Sequence, residues 1–415
     1  MSKTLWYITK YFSPSTETTP GGRAWFLLKE MAAKGYRPVV ITSDSNNLVE
    51  VPELSQPVIV QHQDGIQLVW LKTMKYGVAK SWQRIASWFH FEWNLWRLDK
   101  SALPKPDTIV VSSLSLLTVL NGLLLKRKYK CRLIFEVRDI WPLTITEEGG
   151  VSPKNPFVMF LAWVEQLGYE KSDAIIGTMP NLEAHVRRVS KSAVPVYCIP
   201  MGVAPEQAEG RHPLEQDYIQ RYLSSDAMKV VHAGTIGITN ALEVFFKTAE
   251  HLKHNSNIQF VLVGDGALKQ YFIKEYSHLP NIVFAPKVSK YQVQSVLELA
   301  DVVYFSAFPS LVWDYGQSLN KVIDYMLSGK PVVASYSGYP SMINDAGCGF
   351  FVPAGDVNAL ANKLEVLAAL PKVEREAMGQ KGREWLLRNR SYSKLAEDFS
   401  RIVFNAQHGN PPTKP

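Results

Sequence analysis

The chain has 415 residues, of which 46% are hydrophobic and 20% are charged, a globular composition that excludes a disordered or fibrous chain. At roughly 100–200 residues per domain, this length predicts two domains with separate cores. Its three cysteines form no C-x-x-C pair, so neither a zinc site nor a disulfide framework is expected, and a reducing cytosol fits. The net charge of +7 lies wholly in residues 1–200, which hold 24 Lys and Arg against 17 Asp and Glu. This basic half indicates an anionic partner such as a membrane surface, a lipid phosphate or a nucleic acid.

In the first half, runs rich in Val and Ile alternate with helical segments, which is typical of a parallel, doubly wound sheet. The first run lacks the long apolar core of a signal peptide and is interpreted as a buried strand. The uncharged run 108–125 contains Ser, Thr and Asn, and is interpreted as a strand and a helix rather than as a membrane span. We predict strands at 5–12, 38–44, 66–72, 108–113, 131–139, 174–179 and 195–200, and helices at 23–34, 81–99, 114–128, 157–171 and 181–189.

Residues 1–204 therefore form the predicted first domain, and the polar stretch 205–226, with two prolines and a glycine, is the predicted linker. The alternation of strands and helices restarts in a second domain, 227–389. A C-terminal helix at about 390–407 is expected to pack back on the first domain, and the tail 408–415 is expected to be disordered. Two such domains would face a common cleft with the carboxyl ends of their strands, where doubly wound sheets bind ligands.

Three glycine-containing turns follow predicted strands. Gly234 and Gly237 precede a helix, Gly264 and Asp265 follow the next strand, and Gly21 and Gly22 follow the first strand of the chain. Glycine lets backbone N–H groups approach an anion, and a helix N-terminus adds partial positive charge. None of these turns has the G-x-G-x-x-G or Walker spacing, and ordinary strand-to-helix turns are the alternative interpretation.

The stretch 314–335 is the most informative. Ser318 and Asn320 are predicted to cap a helix that begins near Lys321, and Asp324 lies one turn further on the same face. A lysine at a helix N-terminus suits a diphosphate, and a carboxylate one turn deeper suits a ribose diol. The alternative is a capped helix with a surface ion pair between Lys321 and Asp324.

These segments resemble family 4 glycosyltransferases of the GT-B fold. The matching pieces span about residues 5–405, in the family's order; they are YFSP, GG, LLKEMAAKGYRPVVITS, EVRDIWP, SDAIIGTMPNLEAHV, IPMGV, HAGTIG, FVLVGDGALK, LADVVYFSA and SLNKVIDYMLSGKPVV. The last piece is the most specific and is similar to the SPNK-type segment of the bacterial surface-polysaccharide branch, which includes N-acetylfucosamine transferases.

The resemblance implies an α/β protein with two Rossmann-like domains facing a central cleft, and a site for a nucleotide diphosphosugar. It assigns roles to twelve residues. Gly21, Gly22, Gly234 and Gly237 would surround the donor diphosphate, Gly264 and Asp265 would lie near the nucleotide, Lys287 and Val288 would meet the base, Ser318, Asn320 and Lys321 would bind phosphate, and Asp324 would bind ribose.

The sequence also departs from the family. The usual Glu-x7-Glu pair falls on Gly316 and Asp324, so the first glutamate is absent and the second is one methylene shorter. The Arg and Lys that often follow the HAG-type strand are missing, with Thr235 and Asn240 in that neighbourhood. A donor with an unusual hydroxyl pattern, such as a 6-deoxy or N-acetylated hexose, is the resulting expectation.

No D-x-D motif is present, so no metal is expected at the diphosphate, and no cofactor is expected beyond the UDP-sugar substrate. Lys321, helix dipoles and backbone amides would stabilise the leaving phosphate. The family retains the anomeric configuration, and here Asp139 beside Arg138, or else Glu147 or Glu148, would orient the acceptor hydroxyl. The alternative for Arg138 and Asp139 is a local ion pair at a strand end.

The expected activity is therefore metal-independent hexosyl transfer to an undecaprenyl-diphosphate-linked saccharide in O-antigen, lipopolysaccharide or capsule biosynthesis. A hydrolysing UDP-sugar 2-epimerase is the first alternative, although the nine histidines form no evident constellation. A non-catalytic sugar-binding module is a further alternative. A nucleic-acid-binding protein would also explain the basic half, but no RNP, KH or zinc motif is present, so no nucleic acid partner is expected.

A tryptophan-rich segment, 80–100, predicts attachment to the inner face of the cytoplasmic membrane. On a helix, Trp82, Ile85, Phe89 and Trp96 share a stripe, with Trp88 and Trp93 beside it. The cations at its ends and in a second basic cluster are Lys80, Arg84, Arg97, Lys100, Lys126, Arg127, Lys128 and Lys130. Aromatic rings beside cations suit the headgroup zone, whereas the alternative is a core helix packed on the sheet.

Overall fold

A computed structural model of the protein describes residues 2–16, 21–46, 51–77, 81–210 and 212–404. The tail 408–415 and the end of the helix predicted to reach 407 lie outside the described residues. The chain divides into two compact units, one comprising residues up to Gly202 together with the segment from Tyr392, and the other Val203–Ser391. None of the helices in the described ranges is long and apolar enough to cross a membrane.

The first unit begins with the expected alternation of strands and helices. Its elements up to the end of the eighth strand are β1 (Thr4–Ile8), α1 (Arg23–Ala33), β2 (Arg37–Ser43), β3 (Val58–Gln63), β4 (Ile66–Leu71), α2 (Trp82–Arg97), β5 (Thr108–Ser112), α3 (Thr118–Tyr129), β6 (Arg132–Val137), α4 (Leu143–Glu147), α5 (Pro156–Lys171), β7 (Ala174–Gly177), α6 (Leu182–Val189) and β8 (Val196–Cys198).

In the described part of this unit the strands form one sheet with the order β3-β4-β2-β1-β5-β6-β7-β8. All neighbouring strands are parallel except β3, which pairs with β4 in the antiparallel direction. The sheet is therefore doubly wound around β1 and β5, and the carboxyl ends of its parallel strands share one edge. The antiparallel strand β3 was not predicted.

The second unit repeats the pattern. Its elements are α7 (Pro205–Glu209), α8 (Gln216–Tyr222), β9 (Met228–Ala233), α9 (Glu243–His251), β10 (Ile258–Val263), α10 (Lys269–Tyr276), β11 (Ile282–Ala285), α11 (Val293–Glu298), β12 (Val302–Ser306), α12 (Asn320–Leu327), β13 (Val332–Ser335), α13 (Met342–Ala346), β14 (Gly349–Val352), α14 (Val357–Ala369) and α15 (Lys372–Asn389), with 3-10 turns at Ile238–Asn240, Lys290–Gln292 and Leu311–Tyr315.

The sheet of the second unit is parallel throughout its described strands, in the order β11-β10-β9-β12-β13-β14. One face is covered by α9, α10 and α14, where Phe246 stacks on Phe272 at 4.2 Å and on Tyr276 at 5.0 Å between ring centroids. Near-continuous apolar strands buried on both faces are typical of such parallel sheets, and this core fixes the loops at their carboxyl ends.

Residues 205–226, which were predicted to be a linker, instead form the two short helices α7 and α8 within the second unit. Side chains and carbonyl groups anchor this segment: the Tyr218 hydroxyl donates to the Pro286 carbonyl at 2.8 Å, and the Ser295 hydroxyl donates to the His212 carbonyl at 2.7 Å. The polar, proline-containing composition thus reflects a folded surface segment.

The last described helix, α16 (Tyr392–Phe404), belongs to the first unit and packs on α1. Tyr392 stacks on Phe26 and Phe404 stacks on Tyr36, each with ring centroids 5.0 Å apart. The Thr108 hydroxyl also donates to the Val403 carbonyl at 3.0 Å. The chain therefore returns to the first unit at its C-terminal end.

Candidate functional site

Two glycine turns of the second unit are in direct contact at the carboxyl ends of β9 and β10. Gly234, Gly264 and Gly266 have φ angles of +156°, +148° and +155°, which favour glycine. A Cβ atom on Gly264 would lie 1.9 Å from the Gly234 carbonyl oxygen, and one on Gly266 would lie 2.3 Å from the Ile236 carbonyl oxygen. Any side chain at Gly264 or Gly266 would therefore push the two turns apart, so glycine is required at both positions.

A third loop joins these turns through backbone and side-chain hydrogen bonds. The Ile236 N–H donates to the Asp265 carbonyl at 2.9 Å, and the Lys269 ammonium donates to the Gly264 carbonyl at 2.7 Å and to the Ala285 carbonyl at 3.1 Å. The loops after β9, β10 and β11 thus converge. Lys287 follows β11, and its ammonium lies 4.0 Å from the Asp265 carboxylate in an exposed ion pair; Val288 is the next residue.

Lys321 places its ammonium at the same group of loops. It donates to the Asn240 side-chain oxygen, while the Asn240 amide donates to the Thr235 carbonyl at 2.8 Å and the Ser306 hydroxyl donates to the Asn240 carbonyl at 2.8 Å. Asn240 therefore connects the turn after β9, the end of β12 and the start of α12. Burial lowers the pKa of Lys321 to about 8, so the ammonium form still predominates at neutral pH.

The helix that carries Lys321 starts differently from the prediction. Its first residue is Asn320, its N-cap is Leu319, and no side chain of the described residues caps it, so the prediction that Ser318 and Asn320 are caps is wrong. Leucine cannot accept a hydrogen bond, and Ser318 lies one residue too early. The first N–H groups of α12 are consequently not occupied by a capping side chain.

Asp324 lies one turn after Lys321 on α12. Burial raises the pKa of its carboxyl group to about 6, and the Gln294 amide donates to its backbone carbonyl at 3.0 Å. Across the part of the chain that the structure describes, Asp324 forms no ion pair with Lys321, which bonds to Asn240 instead. The alternative of a surface ion pair between these two residues is therefore not what the structure has.

A buried histidine that the sequence analysis did not single out lies beneath these loops. His232 is the fifth residue of β9, and one ring nitrogen lies 3.2 Å from the Tyr304 carbonyl oxygen. Burial, together with the Lys321 charge, lowers the pKa of His232 to about 3, so the ring is neutral. The only sequence signal was its position at the end of a buried strand beside Gly234.

In the first unit, Gly21 and Gly22 lie at the start of α1, with Gly22 as its N-cap. The Gly22 N–H donates to the Ser13 carbonyl at 2.8 Å, and a Cβ atom on Gly21 would lie 2.3 Å from the Trp25 ring. Glycine at position 21 therefore lets the backbone approach the Trp25 ring of α1 closely.

Arg23, the residue after these glycines, forms a buried ion pair that the sequence analysis missed. Its guanidinium lies 2.7 Å from the Glu136 carboxylate and donates to the Ile199 carbonyl at 2.7 Å, while the Ser112 hydroxyl donates to Glu136 at 2.6 Å. Burial would raise the pKa of Glu136, but the Arg23 charge holds it below its ordinary value. This pair ties α1 to β6 and to the loop after β8.

Asp139 follows β6, and both of its carboxylate oxygens accept hydrogen bonds from its own loop. The Trp141 ring N–H donates at 2.8 Å and the Thr144 hydroxyl donates at 2.6 Å. No ion pair joins Asp139 to Arg138 within the described ranges, and the Arg138 N–H donates instead to the Ser113 hydroxyl at 2.9 Å. Glu147 and Glu148, the other predicted candidates, are exposed on the surface.

Helix α2 presents an aromatic face to solvent, as Trp82, Phe89, Trp93 and Trp96 are 72%, 49%, 53% and 59% exposed. Two details differ from the prediction. Trp88 is buried and its ring N–H donates to the Tyr11 hydroxyl at 2.9 Å, and Lys100 is buried with its ammonium on the Leu95 and Leu98 carbonyls at 2.5 and 2.9 Å. Lys80 lies outside the described residues.

The exposed aromatic face of α2 continues onto neighbouring helices. A groove of about 340 Å³ runs along α2 and α3 and reaches Phe160 of α5, and its rim carries exposed apolar side chains. We call this surface the aromatic face; its exposed members are Trp82, Phe89, Trp93, Trp96, Leu124 and Trp163, the last stacked on Phe160. The Arg97 guanidinium lies 5.8 Å from the Trp93 ring centroid, so a cation borders the face.

No cluster of three or more His, Cys, Asp or Glu side chains in the described ranges is placed to hold a metal ion. The residues that the sequence analysis assigned to the donor thus separate into two sets. Gly21 and Gly22 belong to the first unit, whereas the other ten belong to the second unit: Gly234, Gly237, Gly264, Asp265, Lys287, Val288, Ser318, Asn320, Lys321 and Asp324.

Two family models match almost four-fifths of the chain. The glycosyl transferase 4-like domain matches residues 20–202, and the glycosyl transferases group 1 domain matches residues 227–369. The protein therefore belongs to the family 4-like glycosyltransferases, with two Rossmann-like domains of the GT-B fold. The assignment of the chain to the O-antigen branch and to N-acetylfucosamine transfer stays a prediction.

Among curated proteins, the chain is similar to "Putative glycosyltransferase EpsD" of Bacillus subtilis (strain 168), with 24% identity over 210 residues. That match covers 48% of this chain and 53% of the relative, so the matched part spans about half the length of the relative.

Among solved structures, sucrose-phosphate synthase from Thermosynechococcus elongatus has a TM-score of 0.72 at 18% identity, covering 96% of this chain and 98% of that one. The E. coli trehalose-6-phosphate structure bound with UDP-2-fluoro glucose has a TM-score of 0.74 at 13% identity, covering 98% and 100%. WaaG, a glycosyltransferase involved in lipopolysaccharide biosynthesis, has a TM-score of 0.64 at 13% identity, covering 97% and 100%. At these identities the likeness shows the fold alone.

Proposed function

We propose that this protein is a retaining glycosyltransferase that moves a hexose from a UDP-sugar to a lipid-linked saccharide in bacterial O-antigen or capsule biosynthesis. The observation that carries the proposal is the position of the Lys321 ammonium beside the glycine turns and the uncapped start of α12. A buried cation beside a helix N-terminus that no described side chain caps, at the edge of a sheet with glycine turns, suits a diphosphate.

In this proposal residues of the second unit stabilise the leaving diphosphate. Lys321 supplies the charge, Ser318 and Asn320 lie at the start of α12, and the turns of Gly234 and Gly264 supply backbone groups. A preorganised cation and fixed dipoles stabilise developing charge without reorganisation during the reaction, which is the largest effect in many enzymes. Donor roles for Gly21, Gly22 and Gly237 stay predictions from the family resemblance.

Asp324 and the loop after β11 complete the proposed nucleotide site. A carboxylate one helical turn after the phosphate-binding lysine lies at the right depth for the ribose diol. The backbone at Lys287 and Val288 follows β11, whose loop is joined to the glycine turns through Lys269. This arrangement favours binding of the base by main-chain groups, beside Asp265.

Retention of configuration follows from front-face attack, as the family resemblance implies. The bond between the sugar and the phosphate oxygen breaks, the acceptor oxygen bonds to the same face of the sugar, and the acceptor proton passes to the leaving phosphate. Asp139 is proposed to orient the acceptor hydroxyl. Its carboxylate is held by Trp141 and Thr144, and each oxygen keeps a further lone pair.

The choice of UDP and the absence of a metal requirement are tested together by calorimetry with UDP, GDP and dTDP in the presence of EDTA. Structures of similar fold bound with UDP-2-fluoro glucose and with UDP-glucose support UDP as the nucleotide. We expect the tightest binding for UDP and no loss of affinity with EDTA. Tighter binding of GDP, or strict metal dependence, would contradict the proposal.

The donor sugar is proposed to be a 6-deoxy or N-acetylated hexose. Gly316 replaces the family's sugar-contacting glutamate, and its φ of +99° would strain any side chain at this position. A glutamate at position 316 could adopt this loop conformation only with backbone strain. A turnover assay with a panel of UDP-sugars tests this proposal, which fails if plain UDP-glucose is the best donor.

Product analysis distinguishes transfer from the hydrolysing 2-epimerase alternative. The protein is incubated with a UDP-sugar, with and without a lipid-linked acceptor, and the products are identified. A transferase releases UDP and a lengthened lipid-linked saccharide only when the acceptor is present. A 2-epimerase releases UDP and an epimerised free sugar in both reactions, and that outcome would replace our proposal.

We also propose that the aromatic face holds the protein on the inner, cytoplasmic surface of the membrane, beside its lipid acceptor. Six exposed apolar side chains from three helices form a larger apolar surface than scattered exposed residues would, and Arg97, Lys128 and neighbouring cations suit anionic lipid. Flotation with phosphatidylglycerol vesicles tests this proposal. The wild-type protein should float, and less so in high salt because screening weakens the cationic contribution.

Two triple variants sharpen the flotation experiment. Changing Trp93, Trp96 and Arg97 to polar neutral residues should leave the protein at the bottom of the gradient. The control changes three exposed apolar side chains of the second unit, Tyr271, Val366 and Val373, to serine, and it should float like the wild type. Equal flotation of both variants, or no flotation of the wild type, would refute the proposed membrane surface.

A further inference from the structure

Glu92 is a carboxylate of α2 in the wall of the groove on the aromatic face, and the proposed mechanism does not use it. The groove has a volume of about 340 Å³, within the range of about 300–1,000 Å³ that is typical of ligand pockets. The other described residues that line it are aromatic or aliphatic, apart from the amide of Asn121. Among the described lining residues, Glu92 is therefore the one that can carry a charge.

Neutral donors from the neighbouring segment hold the Glu92 carboxylate. The Thr118 hydroxyl donates to Oε1 at 2.6 Å, and the Ser115 hydroxyl donates to the same oxygen at 3.4 Å. The Asn121 amide donates to Oε2 at 2.7 Å and to the Glu92 backbone carbonyl at 3.0 Å. These bonds fix the carboxylate between α2 and α3, but none of them supplies a positive charge.

Within the part of the chain that the structure describes, no charged side chain faces Glu92 from the helices around it. Towards the groove, α3 presents its amide and aliphatic groups, and α5 presents a phenyl ring. On α2 itself, His90 accepts the Met74 N–H at 3.0 Å. The Arg97 guanidinium lies 5.8 Å from the Trp93 ring centroid, at the border of the aromatic face. The carboxylate is consequently held by hydrogen bonds alone.

This environment places the titration of Glu92 near neutral pH. Burial raises the pKa of Glu92 to about 7, while the hydrogen bonds from Thr118, Asn121 and Ser115 oppose the rise because they stabilise the charged form. At pH 7, about half of the molecules therefore carry a neutral carboxyl group in the groove.

Covering the groove with hydrocarbon would change this balance. A carboxylate that loses its remaining contact with water and gains no cation is unfavourable, whereas a neutral carboxyl group that stays hydrogen-bonded costs much less to bury. The Thr118 and Ser115 hydroxyls can accept as well as donate, so they also suit the neutral form. An apolar occupant of the groove thus favours proton uptake by Glu92.

We propose that Glu92 must be protonated before the groove accepts hydrocarbon chains of the membrane, so that attachment of the aromatic face strengthens as the pH falls. This inference rests on the proposed membrane surface and not on the transferase activity. Lipid is the occupant because the apolar groove continues into the exposed rings of Trp93 and Trp96, and because Arg97 beside them suits an anionic headgroup. A cationic amine would instead need the charged carboxylate and would bind more tightly as the pH rises.

The test measures the affinity of the full chain for phosphatidylglycerol vesicles between about pH 6 and pH 8.5. Wild-type protein should bind at least about tenfold more weakly at the upper limit, because a group with a pKa of about 7 must regain its proton there. Glu92→Gln stays uncharged, so at pH 8.5 it should bind about tenfold more tightly than the wild type. Histidines lose charge over the same range in both proteins, so the difference between the two isolates Glu92.

Glu170→Gln is the matched control. Glu170 is exposed on α5, and its replacement changes the net charge by the same amount as Glu92→Gln. This variant should keep the pH dependence of the wild type, which would exclude a general effect of net charge on an anionic surface. Circular dichroism checks that both variants are folded. Equal behaviour of the two variants would overturn the inference.

Urea denaturation without lipid tests the proton site by itself. The folded pKa of about 7 lies above the ordinary value of 4.5, so the unfolded chain releases this proton at lower pH than the folded protein does. The urea midpoint of the wild type should therefore fall relative to that of Glu92→Gln as the pH rises from 4.5 to 7, and the difference should then stay constant. Parallel midpoints of the two proteins across this range would overturn the proposed protonation.

The vesicle results separate this inference from the proposals around it. Wild-type affinity that is equal at every pH would overturn the role of Glu92 and leave the membrane surface standing. Affinity that rises with pH in the wild type but not in Glu92→Gln would mean that the carboxylate binds a cation, which also overturns the inference. No binding of the wild type at any pH would refute the membrane surface and this inference together, whereas a lack of sugar transfer alone would refute only the proposed transferase function.

Discussion

Two buried cations, Arg23 in the first unit and Lys321 in the second, are held in different ways. In the first unit, Arg23 lies against the Glu136 carboxylate, and both side chains are fully enclosed and bonded to their surroundings. In the second unit, Lys321 is partly buried against the amide of Asn240, with no carboxylate as a partner in the described ranges. The charge of Arg23 is neutralised within the fold, so this pair stabilises the folded protein. The charge of Lys321 is not neutralised by a described carboxylate, so it can bind an anionic ligand.

The difference between Arg23 and Lys321 follows from the free-energy cost of burying a charge. Removing a cation from water is costly, and a carboxylate with good hydrogen bonds offsets the cost within the fold. A neutral amide oxygen offsets less of it, which is why the pKa of Lys321 falls while the pKa of Arg23 rises. For Arg23, burial lowers the pKa but the Glu136 charge more than compensates.

The largest effect is expected from breaking the pair in the first unit. Arg23→Met leaves the Glu136 carboxylate buried without a partner, which should lower the free energy of unfolding by about 3–5 kcal/mol. Urea denaturation measures the loss. Arg23→Met combined with Glu136→Gln should recover most of it, since no uncompensated charge remains, and a single variant as stable as the wild type would refute the interpretation.

The same pair has a defined pH dependence. The pKa of Glu136 lies below its ordinary value of 4.5 in the folded protein, so its stabilising contribution is present above pH 4.5. That contribution should be lost as the pH falls through the folded pKa. In the double variant this acid-dependent loss of stability should be smaller.

The next effect is on activity and comes from Lys321. Lys321→Met removes one charge-assisted contact to the diphosphate, worth about 1.5–3 kcal/mol, so turnover should fall roughly tenfold to a hundredfold. Stability should not decrease, because the variant loses a cation that has no carboxylate partner. Steady-state kinetics and thermal unfolding measure both. Wild-type turnover in this variant would mean that α12 is merely structural.

The smallest expected effect is the pH profile of donor use. The pKa of Asp324 is raised to about 6 and that of Lys321 is lowered to about 8, both by burial, so kcat/KM for the donor should be highest between these values. Below about 6, Asp324 loses its charge, and above about 8, Lys321 loses its proton. Lys321→Arg should move the alkaline limit upward, and Asp324→Asn should remove the acidic limit and weaken donor binding. A flat profile in the wild type would contradict both assignments.

The fold was largely predictable because the residue pattern within each short segment indicates its secondary structure. Runs such as 108–112 and 258–263 are mainly apolar and rich in Val and Ile, which predicts strands that are covered on both faces. The exception is β3, whose later residues are exposed and polar. Its turn to β4 consists of Asp64 and Gly65 with φ angles of +48° and +76°, an Asp-Gly pair typical of a hairpin, so a signal was present and was missed.

The candidate site was predictable only in part, because its decisive contacts join distant positions. Lys321 and Asn240 are 81 residues apart, and Arg23 and Glu136 are 113 residues apart. A motif can indicate Lys321 as a candidate phosphate-binding residue. Only the fold shows that its ammonium bonds to the Asn240 amide and not to the Asp324 carboxylate. Likewise, helical periodicity predicted the aromatic stripe but not that Trp88 turns inward to Tyr11, since that depends on the neighbouring loops.

The position of α16 has a consequence for synthesis on the ribosome. The first unit is built from residues up to Gly202 and from the helix Tyr392–Phe404, with the whole second unit between them. As translation proceeds from the N-terminus, the second unit is fully made before the first one receives its last helix. Until then Phe26 on α1 lacks the Tyr392 ring that covers it in the finished protein. The nascent first unit therefore stays incomplete, with part of α1 uncovered, until the 13 residues of α16 leave the exit tunnel after the whole second unit.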